Sequence, residues 1–312
     1  MSFIGKLAYL VLFPGLVFIA FAGTLARGLL AGMSGAITGG NPGGPEQSLP
    51  SILYLLNGEC IPIGGPIQAL QWLAPAVKLL SLSWVSCAIF GFLPGDVVLV
   101  YALLLLSSSA DLVLCFMSGN PRVRQNGWPE AVSLLGWSIP LAAVLAGVSL
   151  RTGSVSISGL INWQTANGVL LGSTAGGAQA LAGSWLMFLV ALMCSLSMMR
   201  LRPFGRGYFS DAPAGICCDI SGPPLALLRV AEMASFIVVP LLIVALFLGG
   251  GASASYEVVF WGLKLAGLFM LLGLFDQVSA RMRADRVLLW LVCAGSACAV
   301  VGLVLVRSGV SR

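Results

Sequence analysis

The chain has 312 residues, of which 58% are hydrophobic and 9% charged, with a formal net charge of +5 and a mean hydropathy of +1.00. This composition excludes an ordinary soluble domain and places the chain in lipid, with no nucleic-acid partner expected. Histidine is absent, which excludes histidine-ligated haem, zinc and iron sites.

Apolar runs long enough to cross a hydrocarbon core of about 30 Å, at roughly 20 helical residues each, are predicted near 7–30, 66–92, 96–117, 131–150, 181–199, 224–250, 256–276 and 287–307. The expected fold is an all-α integral membrane protein: about eight transmembrane helices in a tilted bundle, forming a single membrane domain over 1–312. The first run is preceded only by Lys6 and lacks a small-residue cleavage pattern, so it reads as a retained span. After it, Gly39-Gly40-Asn41-Pro42-Gly43-Gly44-Pro45 breaks any helix. Leu49 to Leu56 then forms an apolar stretch too short to span, either an amphipathic interfacial helix or a partly buried loop helix. The connection from Arg151 to Gly177 is rich in Gly, Ser, Thr and Asn and reads as an ordered external loop. The Gly- and Pro-rich connection from Arg200 to Arg229 is expected to be ordered by a partner. No internal repeat is evident, which argues against a transporter built from inverted halves.

The basic residues fall into two sets. Arg27, Arg122, Arg124, Arg200, Arg202, Arg206, Arg281, Arg283 and Arg286 lie on one group of connections; Lys6, Arg151, Arg307 and Arg312 lie on the other. By the positive-inside rule the first group is cytoplasmic and both termini are outside. The cysteines, Cys60, Cys87, Cys115, Cys194, Cys217, Cys218, Cys293 and Cys298, show no CxxC spacing and are expected to pack as small residues rather than ligate a cluster.

Charges at membrane depth cost about 2.5–3.5 kcal/mol each at a helix centre and so point to function. Lys78, Asp111, Glu232 and Lys264 all fall within predicted spans. Glu232 and Lys264 are read as parts of an ion pathway or as counter-charges to another subunit, with structural pairing or snorkelling as the alternative. Arg229, three residues before Glu232, could pair with it on the same helical face. Asp96, Glu257 and Asp276 lie at span ends, where solvation accounts for them.

The Arg200–Arg229 connection also carries a resemblance. Arg202-Pro203-Phe204-Gly205, Asp219-Ile220-Ser221-Gly222 and Ala231-Glu232 resemble, in order and spacing, the Arg-Pro-Phe-Asp start, the Glu-Tyr-Ser-Gly-like motif and the Ala-Glu span of the complex I H-subunit (NuoH-like) family. That family includes the membrane anchors of energy-converting [NiFe] hydrogenases and formate hydrogenlyases. Phe260-Trp261-Gly262-Leu263-Lys264, Arg281-Met282-Arg283-Ala284-Asp285 and the stretch from Gly44-Pro45-Glu46-Gln47 to Leu55-Leu56 extend the resemblance over nearly the whole chain. The run Gly222-Pro223-Pro224-Leu225-Ala226-Leu227 is similar to the hydrogenase branch. The chain departs from the family at Gly205, where the family has Asp, and at Ser51 and Tyr54, where it has Asp and Lys.

The resemblance implies a non-catalytic membrane subunit that anchors a soluble redox arm and links it to proton or sodium translocation. It implies no cofactor in this chain alone: Fe–S and Ni–Fe centres would belong to partners, and quinone only to the complex I branch. The implied partners are an iron–sulfur small subunit, a catalytic large subunit and antiporter-like membrane subunits, in a bacterial or archaeal cytoplasmic membrane. Candidate ion-pathway residues are Asp211, Asp219, Glu232 and Lys264. Candidate docking residues are Arg122, Arg124, Arg202, Pro203, Phe204, Arg206, Arg281 and Arg283. Two other readings stay open: a stand-alone ion-coupled secondary transporter using Glu232 and Lys264, and a purely structural anchor with a decayed ion pathway.

Overall fold

The computed structural model describes residues 8, 10–11, 15–38, 49–58, 66–173, 176–204, 220–249, 257–280, 282, 286–287 and 289–310. Among these, the helices are α1 (Leu16–Thr38), α2 (Leu49–Leu56), α3 (Pro66–Ile89), α4 (Val97–Met117), α5 (Pro121–Thr152), α6 (Ile157–Asn167), α7 (Gly177–Met198), α8 (Pro223–Ile243), α9 (Glu257–Val278) and α10 (Ser296–Val310). α8 continues into a π-helical turn, Val244–Leu248, and α10 is preceded by another, Leu289–Gly295. Seven of these helical segments are long and apolar enough to cross a membrane, and Leu16–Leu29 of α1 is a shorter apolar helix. The chain is therefore an all-α integral membrane protein of about the expected span number.

Three boundaries differ from expectation. α1 runs on to Thr38, past the predicted end at 30. The helix predicted at 131–150 begins ten residues earlier, at Pro121, and includes Pro129 and Pro140. Proline at its first position fits helix initiation, whereas the charges of 121–130 make that stretch read as a loop. The connection predicted between Arg151 and Gly177 contains α6, whose N-terminus is capped by Ser156: its hydroxyl accepts the Gly159 N–H at 3.1 Å. The short apolar stretch after the first span forms α2 over the expected residues.

Apart from Arg229, Glu232 and Ser235, α8 is apolar on all sides, and a helix of that pattern belongs in the interior. It packs against α1, α2, α3, α7 and α9, and 89% of its apolar stretch is buried, against 22% for α9. Close helix approach relies on glycine. A Cβ at Gly183 of α7 would fall 2.7 Å from the Gly302 carbonyl oxygen of α10, and one at Gly23 of α1 would clash with the Met233 carbonyl of α8.

The two ends of the bundle differ. At the end holding the α5–α6 turn, polar side chains satisfy backbone carbonyls. Buried Arg151 donates to the Ala180 carbonyl at 3.0 Å, the Ser173 carbonyl at 2.8 Å and the Ser184 hydroxyl. Gln164 of α6 donates to the Leu246 carbonyl at 2.6 Å. Backbone bonds from Val97 to Val155 and from Ile157 to Gly95 join the α3–α4 turn to the start of α6. The other end carries the described part of the Arg200–Arg229 connection.

The contact of α7 with α10 yields a test. Replacing Gly183 with Val should force the two backbones apart and cost about 1–3 kcal/mol, as overpacking does. Thermal unfolding of the detergent-solubilised protein would show this as a lowered midpoint.

Candidate functional site

Five helices place ionisable side chains around one point. Lys78 comes from the middle of α3, Asp111 from α4, Glu130 from the extended start of α5 and Glu232 from α8, while Arg200 lies just past the end of α7. Lys78, Asp111 and Glu232 are 5, 3 and 4% exposed, so these are interior charges that only mutual pairing makes tolerable. Lys78 Nζ donates to Asp111 Oδ2 at 2.6 Å. Arg200 donates to the same oxygen at 3.1 Å and to Glu130 Oε2 at 3.0 Å, and its guanidinium lies 3.5 Å from Glu232 Oε1. The planar, many-donor guanidinium is the group suited to serve three carboxylates at once. Arg27 of α1 stands within electrostatic range of Glu232 and lies over the Phe236 ring at 4.6 Å from its centroid. Three cations, Arg27, Lys78 and Arg200, thus face three carboxylates.

Beside this network is a cavity of about 30 Å³ lined by Lys78, Asp111, Glu130 and Arg200 together with the hydroxyls of Ser107, Ser108, Ser133, Ser197 and Ser235. At about 10–15 Å³ per water it has room for roughly two. Leu82, Leu104, Trp137 and Val239 line its remaining side and are themselves almost fully buried. Ser133 and Ser197, from α5 and α7, are hydrogen bonded at 3.0 Å. Asp111 Oδ1 and both Glu232 oxygens have no hydrogen-bond partner among the described residues, so these carboxylates retain acceptor capacity that water or a proton could use. Among the described residues no three His, Cys, Asp or Glu side chains are grouped to hold a metal ion.

The sequence expectations map onto this geometry unevenly. Glu232 is at the network, but its ion partner is Arg200 across the bundle rather than Arg229 on its own helix. Lys264 is elsewhere: its Nζ donates to the Leu248 and Gly249 carbonyls at 2.9 and 2.7 Å, capping the far end of the α8 helix. Sixteen residues separate Glu232 from Leu248, about 24 Å of helix axis. Glu232 and Lys264 are thus not brought together. Asp211, Asp219, Arg206, Arg281, Arg283 and the side chain of Arg122 lie outside the described residues.

Arg124 and Arg202 are exposed, Pro203 is buried and Phe204 half-buried. Asp276, at the end of α9, accepts the Arg202 backbone N–H at 2.7 Å, and the Pro203 carbonyl accepts the Met282 N–H at 3.1 Å. Asp276 is therefore a fastening for the Arg202 segment rather than merely a solvated end, and the segment is tied to the connection after α9. Lys78 and Asp111 carry a signal in the sequence, as charges inside spans. Glu130 and Arg200 carry none, because one precedes the predicted span and the other reads as an ordinary loop cation. Cys87, Cys115 and Cys194 are buried, whereas Cys293 and Cys298 are exposed.

Seven membrane-length apolar helices packed around an interior ion network define an all-α integral membrane protein with charge at its core. The profile of the NADH dehydrogenase family matches residues 6–306, and the chain belongs to that family. It is 26% identical to the H subunit of NADH-quinone oxidoreductase from Dehalococcoides mccartyi strain CBDB1, over 80% of this chain and 71% of that one. It is 30% identical to the protein of the same name from Ralstonia pickettii strain 12J, over 51% of this chain and 47% of that one. Its fold matches a chain of the membrane-bound sulfane sulfur reductase, an archaeal respiratory membrane complex, with a TM-score of 0.83 at 17% identity, covering 97% of this chain and 99% of the other.

The network can be tested by charge removal. Asp111→Asn should leave Lys78 and Arg200 short of a counter-charge in the interior and destabilise the subunit by about 3–5 kcal/mol, the usual penalty for breaking a buried pair. Combining it as Asp111→Leu with Lys78→Met should recover part of that loss, because the uncompensated ammonium is gone. Thermal unfolding of Asp111→Leu, Lys78→Met and the double variant would measure the coupling.

Proposed function

We propose that this protein is the H-subunit-like membrane component of an energy-converting oxidoreductase, seating a soluble redox arm at one end and passing the consequence of electron transfer to buried ionisable groups. The single observation that carries this reading is the network shared by Lys78, Asp111, Glu130, Arg200 and Glu232, placed directly below the exposed Arg202 segment. Buried charge of this density inside a membrane bundle is costly, and its usual return is an ion route or a switch.

In this reading the Arg202 end faces the cytoplasm and both termini face outside, in accordance with the distribution of basic residues. Arg124, Arg202 and the basic residues after α9 supply donors for carboxylates and carbonyls of an iron–sulfur small subunit and a catalytic large subunit. The Fe–S and metal centres belong to those partners, and this chain contributes no cofactor ligand of its own. Antiporter-like subunits would take up the lipid-facing sides of the bundle. α8 beyond Glu232 is apolar but for Ser235, so an ion reaching the network has no polar path along that helix to Lys264. It would leave sideways, through water or through groups of a neighbouring subunit. A stand-alone transporter that joins Glu232 to Lys264 is disfavoured by the same separation.

Two substitutions in the intact complex separate docking from coupling. Arg202→Glu should release the soluble subunits during purification, by setting a negative charge against an acidic partner surface. Glu232→Gln keeps size and hydrogen bonding, and Arg200 retains Asp111 and Glu130, so assembly and electron transfer should survive while ion uptake into proteoliposomes falls at least several-fold. Normal uptake by Glu232→Gln would make the anchor-only reading the better one. Accessibility of a cysteine introduced at Arg202 checks the orientation: labelling from the outside face would overturn the docking assignment.

A further inference from the structure

The segment proposed to seat the soluble arm and the cation that serves three carboxylates are parts of one short piece of chain. Arg200 and Arg202 are two residues apart, at most about 7 Å of backbone. Arg200 has a φ of +57°, a left-handed conformation uncommon for a side chain of this kind. Its N–H bonds the Ser197 carbonyl at 3.1 Å, and Leu201 N–H bonds the Leu196 carbonyl at 2.8 Å, so the turn is fastened to the end of α7. On its other side the segment is held by Asp276 and Met282. Arg202–Phe204 and Arg200 thus share one short, hydrogen-bonded turn, so a displacement of the segment acts on the backbone that carries the Arg200 guanidinium.

We propose that Arg200 is a positioning residue that carries movement of the Arg202–Phe204 segment to the buried carboxylates of Asp111 and Glu232 and the half-buried one of Glu130. The inference rests on the docking role given to that segment above. The guanidinium holds two carboxylates at 3.0 and 3.1 Å and the third at 3.5 Å. A shift of about an ångström lengthens one of these contacts past hydrogen-bonding range and changes which carboxylate the guanidinium neutralises. Lys78 stays on Asp111 and Arg27 stays near Glu232, so neither acid is left bare while the third cation moves. The hydroxyls of Ser133 and Ser197 line the adjoining cavity and offer bridging partners in either arrangement.

The test uses the whole complex with Ser133→Cys and Ser197→Cys introduced together, since their hydroxyls are 3.0 Å apart. Closing that disulfide ties the end of α7 to α5 and holds Arg200 in place. With the disulfide closed, the soluble subunits and electron transfer should be retained while ion uptake per electron falls several-fold below that of the Ser133→Cys and Ser197→Cys single variants, and reduction should restore it to their level. Equal uptake before and after reduction would overturn the proposal. Should the double variant fail to assemble, Arg200→Lys keeps the charge without the three-way reach, and normal uptake by that variant would also overturn it. Infrared difference spectra of unmodified membranes with and without the soluble arm provide a reading that needs no ion transport. A carboxyl change on docking that is lost in Arg200→Lys supports the link, even in a complex that translocates nothing, where only the coupling reading fails. No carboxyl change on docking sinks the link, even if ions are pumped.

Discussion

A guanidinium shared by three carboxylates is what permits charge in the middle of this bundle. Each isolated ion at the centre of a membrane helix costs about 2.5–3.5 kcal/mol on insertion scales. Lys78, Asp111 and Glu232, buried within the spans, would together oppose folding by about 8–10 kcal/mol if they met no partner. At an effective dielectric constant of about 20, a pair at 4 Å recovers roughly 4 kcal/mol. Arg200 makes three such contacts, so its placement decides whether the others can be buried. The helices must then stop and start where they do: α7 ends just before Arg200, and α5 begins early enough to bring Glu130 within reach.

The same constraint divides the bundle into two unlike halves. On the Arg202 side, charged groups and serine hydroxyls surround a small cavity. Beyond Leu82, Leu104, Trp137 and Val239 the described interior carries hydroxyls, among them Ser83, Ser86 and Ser138, but no charge until the far end, where Arg151, Gln164 and Lys264 each donate to backbone carbonyls. Polar side chains thus serve opposite purposes at the two ends. At one they face each other and keep unused acceptor capacity; at the other they close off backbone groups.

The spans are legible in the sequence because apolar runs of membrane length are a strong signal, and α2 is legible because Gly and Pro isolate it. The start of α5 is not, since Arg122, Arg124, Glu130 and Pro129 make a helical stretch look like a loop. The same composition hides Glu130. α6 is hidden by its Gly, Ser, Thr and Asn content, although Ser156 is a recognisable cap. Lys78, Asp111 and Glu232 stand out as charges at membrane depth, but nothing in the sequence pairs them. Residues 33 and 89 positions apart meet only through tertiary packing. Arg200 bears on topology rather than chemistry in the sequence, because a cation at a helix end is ordinarily solvated. Lys264 has the same sequence signal as Lys78, yet the fold places it on carbonyls rather than carboxylates.

In the proposed mechanism Arg200 joins the seat of the soluble arm to the buried acids. A structure of the assembled complex in lipid, read at residues 200–204, is the sharpest test. The expected result is a soluble subunit in contact with Arg202–Phe204 and the Arg200 guanidinium still lodged among Asp111, Glu130 and Glu232. A soluble arm seated on the opposite end of the bundle, or Arg200 turned out of the carboxylate cluster in every state, would refute the mechanism.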